Sequence, residues 1–455
     1  MFITRYFFVI LYTNKISMFK KFHFNFLLWK YNKQRQKTKY FCFAPFSSLY
    51  FDYKGNVFVC FANKHHVLGN YFKQSISEIW NGEPIKKLRK SIEKDNFEYG
   101  CSICKNKLLQ QKYTQIYARR YDYLTPNLNK FPTSVEIQLS NNCNLNCIMC
   151  VVTKDNPSNI EIKQFRTYLQ EAIPFLKNAS FSGGEPFFIN EYYDIWEDIY
   201  NLNPSCIISV NTNATILNDK IKAILNKLSF NISVSIDGFT EDTFEKIRRN
   251  SNRNKVYENL KYFMHYTKEK STFFNVKICA LDQNILEFPI IFDYFNKNDV
   301  TVIVNEVVYP LNNALWNNKS SKIKEIVDFL TNHTPFFPKS NSGYSNVRAW
   351  NELIKMINDY YLDALNFEST MLIKKSTEID TINLVQKRLK SFFANVNDLN
   401  YFMSVIEIYS NTERERLFNF FLIAPYERII GEIEIRDNSE VKNIFDNVIR
   451  YFVWQ

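Results

Sequence analysis

Three cysteines fall within eight residues of this chain, at Cys143, Cys147 and Cys150. They follow a strand-like alternating run at 134–139 and a polar turn at 140–142, so we expect them in a loop at the C-terminal end of a strand. Cuboidal iron–sulfur clusters usually take four thiolates. Three close thiolates without an obvious fourth indicate a cluster with one open iron, where a cofactor or substrate binds. The alternative is a zinc site or chance clustering, although zinc ligands usually come as two Cys-x-x-Cys or Cys/His pairs.

The charge of the chain is concentrated at its N-terminus. Of the net charge of +11, residues 1–41 carry nine lysines and arginines and no acid, which leaves +2 for the rest. A nearly neutral body does not argue for a nucleic-acid-binding core. A solvated basic arm is the favoured interpretation of 1–41, and contact with RNA, an acidic partner or an anionic membrane surface is the alternative.

The sequence also predicts a cytoplasmic protein without a transmembrane segment. The apolar run at 6–12 has only seven residues, whereas a membrane-spanning helix needs about 20. No small-residue cleavage site follows it, which argues against a signal peptide. Nine cysteines in a reducing compartment suit metal ligation better than disulfides.

A second group of cysteines precedes the first in the chain. Residues 48–53 and 57–60 read as two strands of a β-hairpin, with Gly55 in the turn. The hairpin places Cys42 and Cys60 at neighbouring strand ends. A Cys-x-x-Cys pair follows further on, so the four members of the group form a plausible four-thiolate site: Cys42, Cys60, Cys101 and Cys104. A four-cysteine zinc ribbon is the alternative.

From residue 134 onward, β-rich runs alternate with helical runs, which is typical of a parallel α/β sheet. The predicted strands are 135–139, 179–181, 206–210, 231–235, 274–279 and 302–305. In barrels of this kind the active site gathers at the C-terminal strand ends, and the remaining motifs follow these strands.

Those motifs are short polar turns. Gly183-Gly184-Glu185-Pro186 follows the second strand; glycines let backbone approach a ligand closely, and a carboxylate beside backbone carbonyls holds an ammonium group. Ser235 ends the fourth strand, and the adjacent arginines Arg248 and Arg249 come after it. The sequence does not choose between the two arginines. A hydroxyl and an arginine suit a carboxylate ligand through a charge-assisted hydrogen bond.

The Cys-x3-Cys-x2-Cys and Gly-Gly-Glu-Pro motifs, in this order and spacing, resemble those of the radical S-adenosylmethionine (SAM) enzymes. The resemblance implies a partial (β/α)6 TIM-type barrel and a [4Fe-4S] cluster whose open iron binds SAM. It places Met149 near the adenine and Gly183, Gly184 and Glu185 at the amino group of SAM. Ser235 and either Arg248 or Arg249 are implied at its carboxylate. Asn213 matches a Thr-Asn-Gly turn, with Ala214 in place of glycine.

Residues 42–104 resemble the auxiliary-cluster domain of radical SAM proteins, called SPASM in its long form and twitch in its short form. The resemblance implies a second [4Fe-4S] cluster on Cys42, Cys60, Cys101 and Cys104. Two features depart from the better-known members. The domain precedes the barrel, and Phe61 stands where many relatives have a second cysteine.

Two cysteines and the C-terminal third carry weaker signals. Cys206 and Cys279 lie in apolar strand runs, where a buried inert thiol is the default. A catalytic hydrogen atom donor is the sharper interpretation of Cys279. Helical spacing marks 323–330, 349–361 and 382–393, while 403–409 and 432–435 are strand-like.

Four domains are therefore expected, all within an α/β fold. They are a basic N-terminal arm at 1–41, a small hairpin-containing auxiliary cluster domain with linker at 42–125, a radical SAM core barrel at 130–310, and a mostly helical domain at 311–455. The implied function is reductive cleavage of SAM to a 5′-deoxyadenosyl radical, which abstracts hydrogen from a substrate.

The substrate and partners are less determined. Peptide maturation is slightly favoured, and oxidation or rearrangement of a sugar, nucleotide or other small metabolite is the first alternative. A non-catalytic iron–sulfur or zinc scaffold is the second. A reductant such as flavodoxin or ferredoxin is the expected protein partner.

Overall fold

The computed structural model describes residues 22–36, 40–126, 130–151, 159–371, 385, 403–423 and 438–452. The chain divides into two compact units. The first comprises Met1–Leu139, Asn156–Ser180 and Asp198–Cys206, and the second comprises Ser140–Asp155, Phe181–Glu197 and Ile207–Gln455. Each unit contains one of the two groups of cysteines.

The first unit contains four strands that pair with one another. Its strands are β1 (Ser48–Phe51), β2 (Asn56–Phe58), β3 (Gly69–Asn70) and β4 (Ser134–Ile137). The predicted hairpin is confirmed, because β1 pairs antiparallel with β2 and Gly55 adopts the positive φ of +86° that the turn requires. Strand β1 also pairs in parallel with β4, in register from Ser48 opposite Ser134. The helices of the first unit are α1 at 22–35, α2 (Ile76–Trp80), α3 (Glu83–Glu93), α4 (Ser102–Leu109) and α5 (Asn159–Ala172).

Helix α1 corrects the interpretation of 1–41 as a solvated arm, at least over residues 22–35. Leu27, Leu28 and Tyr31 are buried in a core with Phe41, against which the side chains of three auxiliary cysteines pack. Its apolar positions are three or four residues apart, which is the spacing of one helix face. The basic residues of this stretch obscured that face in the sequence.

The second unit continues the alternation of strands and helices. Strand β5 (Asn178–Phe181) and helix α6 (Asn190–Leu202) cross the boundary between the units. Then follow β6 (Ile207–Thr212), α7 (Asp219–Lys227), β7 (Phe230–Ser235), α8 (Glu241–Ile247), α9 (Arg253–Glu269), β8 (Phe274–Ala280), α10 (Phe288–Lys297) and β9 (Thr301–Glu306). Strands β6 to β9 pair in parallel, each with the next. All six strands predicted between 134 and 306 are confirmed, and with them the α/β fold class.

Local sequence explains where these elements begin and which side chains they present. Side chains of Asn218, Thr240 and Asn252 accept the free backbone N–H groups at the starts of α7, α8 and α9, which stabilises each helix end. In β7, buried residues alternate with half-buried ones. This alternation places Ser235 on the half-buried side, away from the apolar residue before it.

The described part of the C-terminal region is helical, in α11 (Ser320–Asn332), α12 (Asn341–Met371), α13 (Asn411–Ile423) and α14 (Asn438–Tyr451). The predicted helices at 323–330 and 349–361 are confirmed. The strand expected at 403–409 is wrong, because 403–406 are helical and the N–H of Glu407 donates to the carbonyl of Met403. Its buried residues, Val405, Ile406 and Tyr409, have helical spacing, which β-branched composition concealed.

Two further expectations, a helix at 382–393 and a strand at 432–435, lie outside the described residues, except for residue 385. Within the described ranges, none of the helices combines the length and apolar character needed to cross a bilayer.

Candidate functional site

The segment Cys143–Cys150, here called the cluster loop, brings its three thiols near one another. The Cys143 Sγ accepts the N–H of Leu145 at 3.4 Å and lies 3.8 Å from Asn213 Nδ2. The Cys147 Sγ lies 4.0 Å from Arg248 Nη1, and Cys150 is exposed. Burial raises the pKa of Cys143, and it raises that of Cys147 to about 11; the electrostatic interaction with the nearby Cys150 adds to both shifts. The loop therefore offers three neighbouring sulfur ligands, one of them open to solvent.

The backbone of the cluster loop is anchored at three points. The N–H groups of Asn146 and Ile148 donate to the carbonyls of Arg249 and Ile247, at 3.1 and 3.0 Å. The amide of Asn313 donates to the Ile148 carbonyl at 2.9 Å. These bonds fix the loop against the end of α8, so the thiols do not depend on a bound ligand alone for their position.

Met149 and Cys279 lie in the same apolar cluster. With Ile148, they pack against the buried residues Ile247, Leu281 and Val307. Met149 of the cluster loop thus lies on an apolar surface, and its contact with adenine stays a prediction. Cys279 is partly buried here, whereas Cys206 is fully buried and burial raises its pKa to about 12. Cys206 accordingly fits the inert interpretation.

The turn Gly183–Glu185, here called the glycine turn, lies directly against the chain that leads into the cluster loop. Gly183 has a φ of +115°. A Cβ on Gly184 would lie 1.8 Å from the carbonyl oxygen of Asn142. The N–H groups of Gly184 and Glu185 donate to the carbonyls of Ser140 and Asn142, at 3.2 and 2.8 Å. Only glycine allows this approach, so the structure brings the two predicted motifs together.

The Glu185 carboxylate is already occupied by neighbouring donors. Its Oε1 accepts the Thr212 hydroxyl at 2.7 Å and the Phe187 N–H at 3.1 Å, and its Oε2 accepts the Asn213 N–H at 2.6 Å. Burial raises its pKa, which these hydrogen bonds partly offset. Glu185 therefore ties the glycine turn to the end of β6, and its direct contact with an ammonium group stays a prediction.

The turn after β6 accommodates an alanine where the family pattern has glycine. Ala214 has a φ of +57°, a left-handed conformation that glycine adopts more readily than alanine. Its N–H donates to the Thr212 hydroxyl, and its carbonyl accepts the Asn259 amide at 2.9 Å. The turn thus keeps the conformation despite the substitution, and Asn213 directs its amide toward Cys143.

The structure separates the two candidate arginines. Arg248 is buried at 6% exposure, and its Nε and Nη2 both lie 2.8 Å from Oδ2 of Asp237. Arg249 is exposed. Ser235 is half-buried and accepts the Asn211 amide at 3.4 Å. Arg248 is therefore the arginine whose guanidinium reaches the cluster loop, and a role for it or Ser235 at a SAM carboxylate stays a prediction.

Asp237 and Asn284 have structural roles that sequence reasoning did not assign. Oδ1 of the fully buried Asp237 accepts the Cys279 N–H at 2.6 Å. The Asn284 amide donates to the carbonyls of Asp237 and Cys279, at 3.0 and 2.9 Å. Both residues follow parallel strands, where polar side chains meet at one sheet edge. That position is the signal that the sequence offers for them.

The four remaining predicted ligands, here called the auxiliary site, line one cavity in the first unit. Phe41, Pro45, Val59, Ile92 and Tyr121 are among its other lining residues, and the lining contains no charged side chain. Burial raises the pKa of Cys42, Cys60 and Cys101 well above the usual range, and that of Cys104 to about 11. Neutral thiols are stable in such a cavity, whereas thiolates need a bound cation.

Asn63 completes the auxiliary site and was missed in the sequence. It is 1% exposed, and its amide donates to the Tyr99 carbonyl at 2.8 Å and lies 3.5 Å from Cys101 Sγ. Gly100 has a φ of +73°, and a Cβ there would lie 2.1 Å from Asn63 Oδ1. An asparagine three residues after a cysteine carries no distinctive signal, so only the fold reveals this contact.

Both sets of thiols fit iron–sulfur clusters by the chemistry of their donors. Four thiols line an uncharged cavity at the auxiliary site, and three thiols share the cluster loop. Within the described ranges, no group of three or more His, Cys, Asp or Glu side chains is placed to hold a single metal ion. The thiolates of a cuboidal cluster bind different irons and so stand farther apart than the ligands of one ion.

Comparisons with known proteins agree with this geometry. Residues 137–279 match the model of the radical SAM superfamily. The chain therefore contains a radical SAM domain. Residues 42–106 match the model of the SPASM iron–sulfur cluster-binding domain, so the radical SAM domain follows an N-terminal SPASM domain. Together these domains imply a [4Fe-4S] cluster, an auxiliary iron–sulfur cluster and SAM, and the radical SAM match agrees with a partial barrel.

Each of the similar curated proteins matches only part of this chain. An uncharacterized protein of Methanocaldococcus jannaschii is 32% identical over 22% of this chain and 37% of its own length. A GTP 3′,8-cyclase of Clostridium botulinum is 26% identical over 28% of this chain and 41% of its length. That of Limosilactobacillus fermentum is 25% identical over 48% and 64%. The chain thus spans less than two thirds of each of these relatives.

Among solved structures, SuiB of Streptococcus suis bound to precursor peptide SuiA is similar at a TM-score of 0.35 and 15% identity, over 58% of this chain and 62% of SuiB. A structure of anSMEcpe with bound AdoMet has a TM-score of 0.33 and 19% identity, over 44% and 58%. Both similarities are weak.

Proposed function

We propose that this protein is a radical SAM enzyme that cleaves SAM reductively at the cluster loop and abstracts hydrogen from a substrate. The observation that carries the proposal is the contact between the glycine turn and the chain leading into the cluster loop, where Gly184 meets the Asn142 carbonyl. It brings the sulfur ligands and the backbone of the glycine turn together, and these are the two parts that a SAM-binding cluster site needs.

The residues that would hold the cofactors follow from the site. Cys143, Cys147 and Cys150 would hold a [4Fe-4S] cluster, and the auxiliary cysteines would hold a second cluster. Gly183, Gly184, Glu185, Asn213 and Ser235 would surround SAM, with Met149 at its adenine. When bound, the cluster and SAM supply one-electron cleavage of SAM and a hydrogen-abstracting radical.

The chain itself contributes position and shielding. Glu185, through Thr212 and Asn213, fixes the glycine turn to the end of β6. Asn213 directs its amide toward Cys143, and Arg248 directs its guanidinium toward Cys147. The apolar cluster around Met149 excludes water on that side. Preorganised donors of this kind need little rearrangement when a ligand binds.

The test is anaerobic reconstitution with iron and sulfide counting. We expect about eight irons per chain, falling to about four in Cys143→Ala/Cys147→Ala/Cys150→Ala. The triple variant should also lose formation of 5′-deoxyadenosine and methionine from SAM under reducing conditions. Cys206→Ala is the matched control, because it removes a buried thiol that belongs to neither group of cysteines. Wild-type protein without iron, or with iron but no SAM cleavage, would favour the scaffold alternative.

For the substrate, the proposal favours a peptide, because the auxiliary domain resembles that of many peptide-modifying enzymes. A sugar, nucleotide or other small metabolite is the alternative. A gene for a small precursor peptide beside this one would support the peptide. Mass spectrometry of that peptide after incubation with enzyme, SAM and reductant would then show or exclude a mass change.

A further inference from the structure

Arg248 brings a buried positive charge beside one of the cluster-loop cysteines. The guanidinium Nη1 lies 4.0 Å from Cys147 Sγ, and the residue is 6% exposed. Its neighbour Arg249 is exposed and contributes only its backbone carbonyl, which accepts the Asn146 N–H. Two adjacent arginines therefore stand in contrasting environments, and only one faces a thiol.

The orientation of the Arg248 guanidinium is fixed by Asp237. Oδ2 of Asp237 lies 2.8 Å from both Nε and Nη2, so Nη1 is the nitrogen left toward Cys147. Asp237 is in turn held by the Cys279 N–H on Oδ1 and by the Asn284 amide on its carbonyl. A planar guanidinium paired along one edge keeps a defined direction, so its charge stays beside the sulfur.

We propose that Arg248 is a positioning residue that raises the reduction potential of the cluster held by the cluster loop, and that Asp237 sets its orientation. The inference rests on the proposed function, because it requires a cluster on Cys143, Cys147 and Cys150. Reduction adds negative charge to the cluster and its sulfurs. A cation and N–H donor at one sulfur stabilises the reduced form, and hydrogen bonds and charge near the sulfurs are known determinants of potential.

The competing role for Arg248 is direct binding of a SAM carboxylate. The two roles differ in one observable. A carboxylate contact changes SAM affinity and leaves the potential of the SAM-free cluster unchanged. A contact with the Cys147 thiolate changes the potential of the SAM-free cluster whether or not SAM affinity changes.

The experiment is a potentiometric titration of the reconstituted full chain without SAM, monitored by EPR. Arg248→Gln is compared with the matched control Arg249→Gln, which removes the same charge one residue away. We expect the ratio of reduced to oxidised cluster at a fixed potential to fall about tenfold in Arg248→Gln, which is 59 mV for a one-electron couple. Arg249→Gln should stay close to wild type. The titration is repeated in a Cys60→Ala background, so that the auxiliary cluster does not mask the signal.

Two further variants keep the test decisive if Arg248→Gln loses iron. Arg248→Lys retains the charge without the fork geometry, and we expect a smaller shift in the same direction. Asp237→Asn removes the counter-charge, and we expect a shift in the opposite direction. Equal potentials in wild type and the charge variants would overturn the inference, as would equal shifts in Arg248→Gln and Arg249→Gln. Wild-type protein without the loop cluster would instead overturn the proposed function.

Discussion

The two cysteine sites of this protein are built from the same ligand atoms in opposite environments. The cluster loop has three thiols, one of them exposed, with charged residues such as Arg248 and Glu185 close by. The auxiliary site has four thiols around a cavity whose lining carries no charge. The contrast teaches that the number of cysteine ligands at a site and the polarity of its surroundings change together. A site that must admit a charged ligand keeps one metal position open and polar groups around it, whereas a closed site needs neither.

The sharpest way to break this comparison is to remove one cysteine from each site. Cys150→Ala should reduce SAM cleavage to the background of protein without reductant, because the loop then offers only two thiolates. Cys60→Ala should retain SAM cleavage while losing the auxiliary iron. Quantifying 5′-deoxyadenosine beside the iron content of each variant checks both. Equal loss of SAM cleavage in the two variants would contradict a division of labour between the sites.

The next effect concerns the backbone contact that holds the glycine turn. Gly184→Ala places a methyl group 1.8 Å from the Asn142 carbonyl, a backbone atom that has no side-chain freedom to move away. We expect SAM cleavage to fall about 100-fold, the order of loss that a misplacement of about 1 Å produces. Gly82→Ala is the control, since its nearest contact is at 3.0 Å. Near-normal SAM cleavage by Gly184→Ala would show that the close approach is not required.

A third test asks whether α1 belongs to the auxiliary domain. Leu27 is 1% exposed in the core that packs against three of the auxiliary cysteines. Leu27→Ala should destabilise that domain by about 2–5 kcal/mol and lower its iron content, while SAM cleavage per loop cluster is kept. Trp29→Ala removes a side chain of the same helix that is 56% exposed, and should cost about 0.5 kcal/mol or less. Thermal unfolding with iron analysis measures both, and equal effects would contradict the packing of α1.

The smallest effect is a difference in pH dependence between the sites. Metal binding requires thiolates, and a raised pKa keeps the thiol protonated, so iron incorporation should become faster as the pH rises. Burial raises the pKa of all four auxiliary thiols. At the cluster loop, burial raises the pKa of Cys143 and Cys147. The increase in rate from about pH 7 to about pH 9 should therefore be steeper at the auxiliary site.

The pH dependence of each site is measured in a variant that lacks all cysteines of the other site. One variant keeps only the cluster-loop cysteines, and the other keeps only the auxiliary cysteines. A steeper dependence at the cluster loop would show that the cavity does not control deprotonation of the auxiliary thiols.

Much of the fold was predictable, because strands with alternating burial and turns with glycine leave periodic signals. The six strands and the hairpin around Gly55 are examples. The environments of individual residues were harder to predict. Nothing in the sequence distinguishes Arg248 from Arg249, since burial and the bond to Asp237 depend on where α8 ends. Helix α1 was hidden by its basic residues, and 403–406 by a β-branched composition, because tertiary packing decides both.

The candidate sites likewise contain some residues that the sequence reveals and others that only the fold reveals. Cysteine spacing and the adjacent glycines carry information that survives without a structure. Asn63 and Asn284 act through hydrogen bonds to distant parts of the chain, and common polar residues at such positions have no local pattern. They become visible only when the strand ends and the cavity are assembled.

The most direct test of the central difference between the sites is the EPR spectrum of the reduced protein before and after SAM is added. In a variant that keeps the cluster loop and lacks the four auxiliary cysteines, SAM should change the spectrum, because one iron is free to bind it. In the variant that keeps only the auxiliary cysteines, SAM should leave the spectrum unchanged. A SAM-dependent change confined to the auxiliary cluster, or its absence from both, would contradict the account.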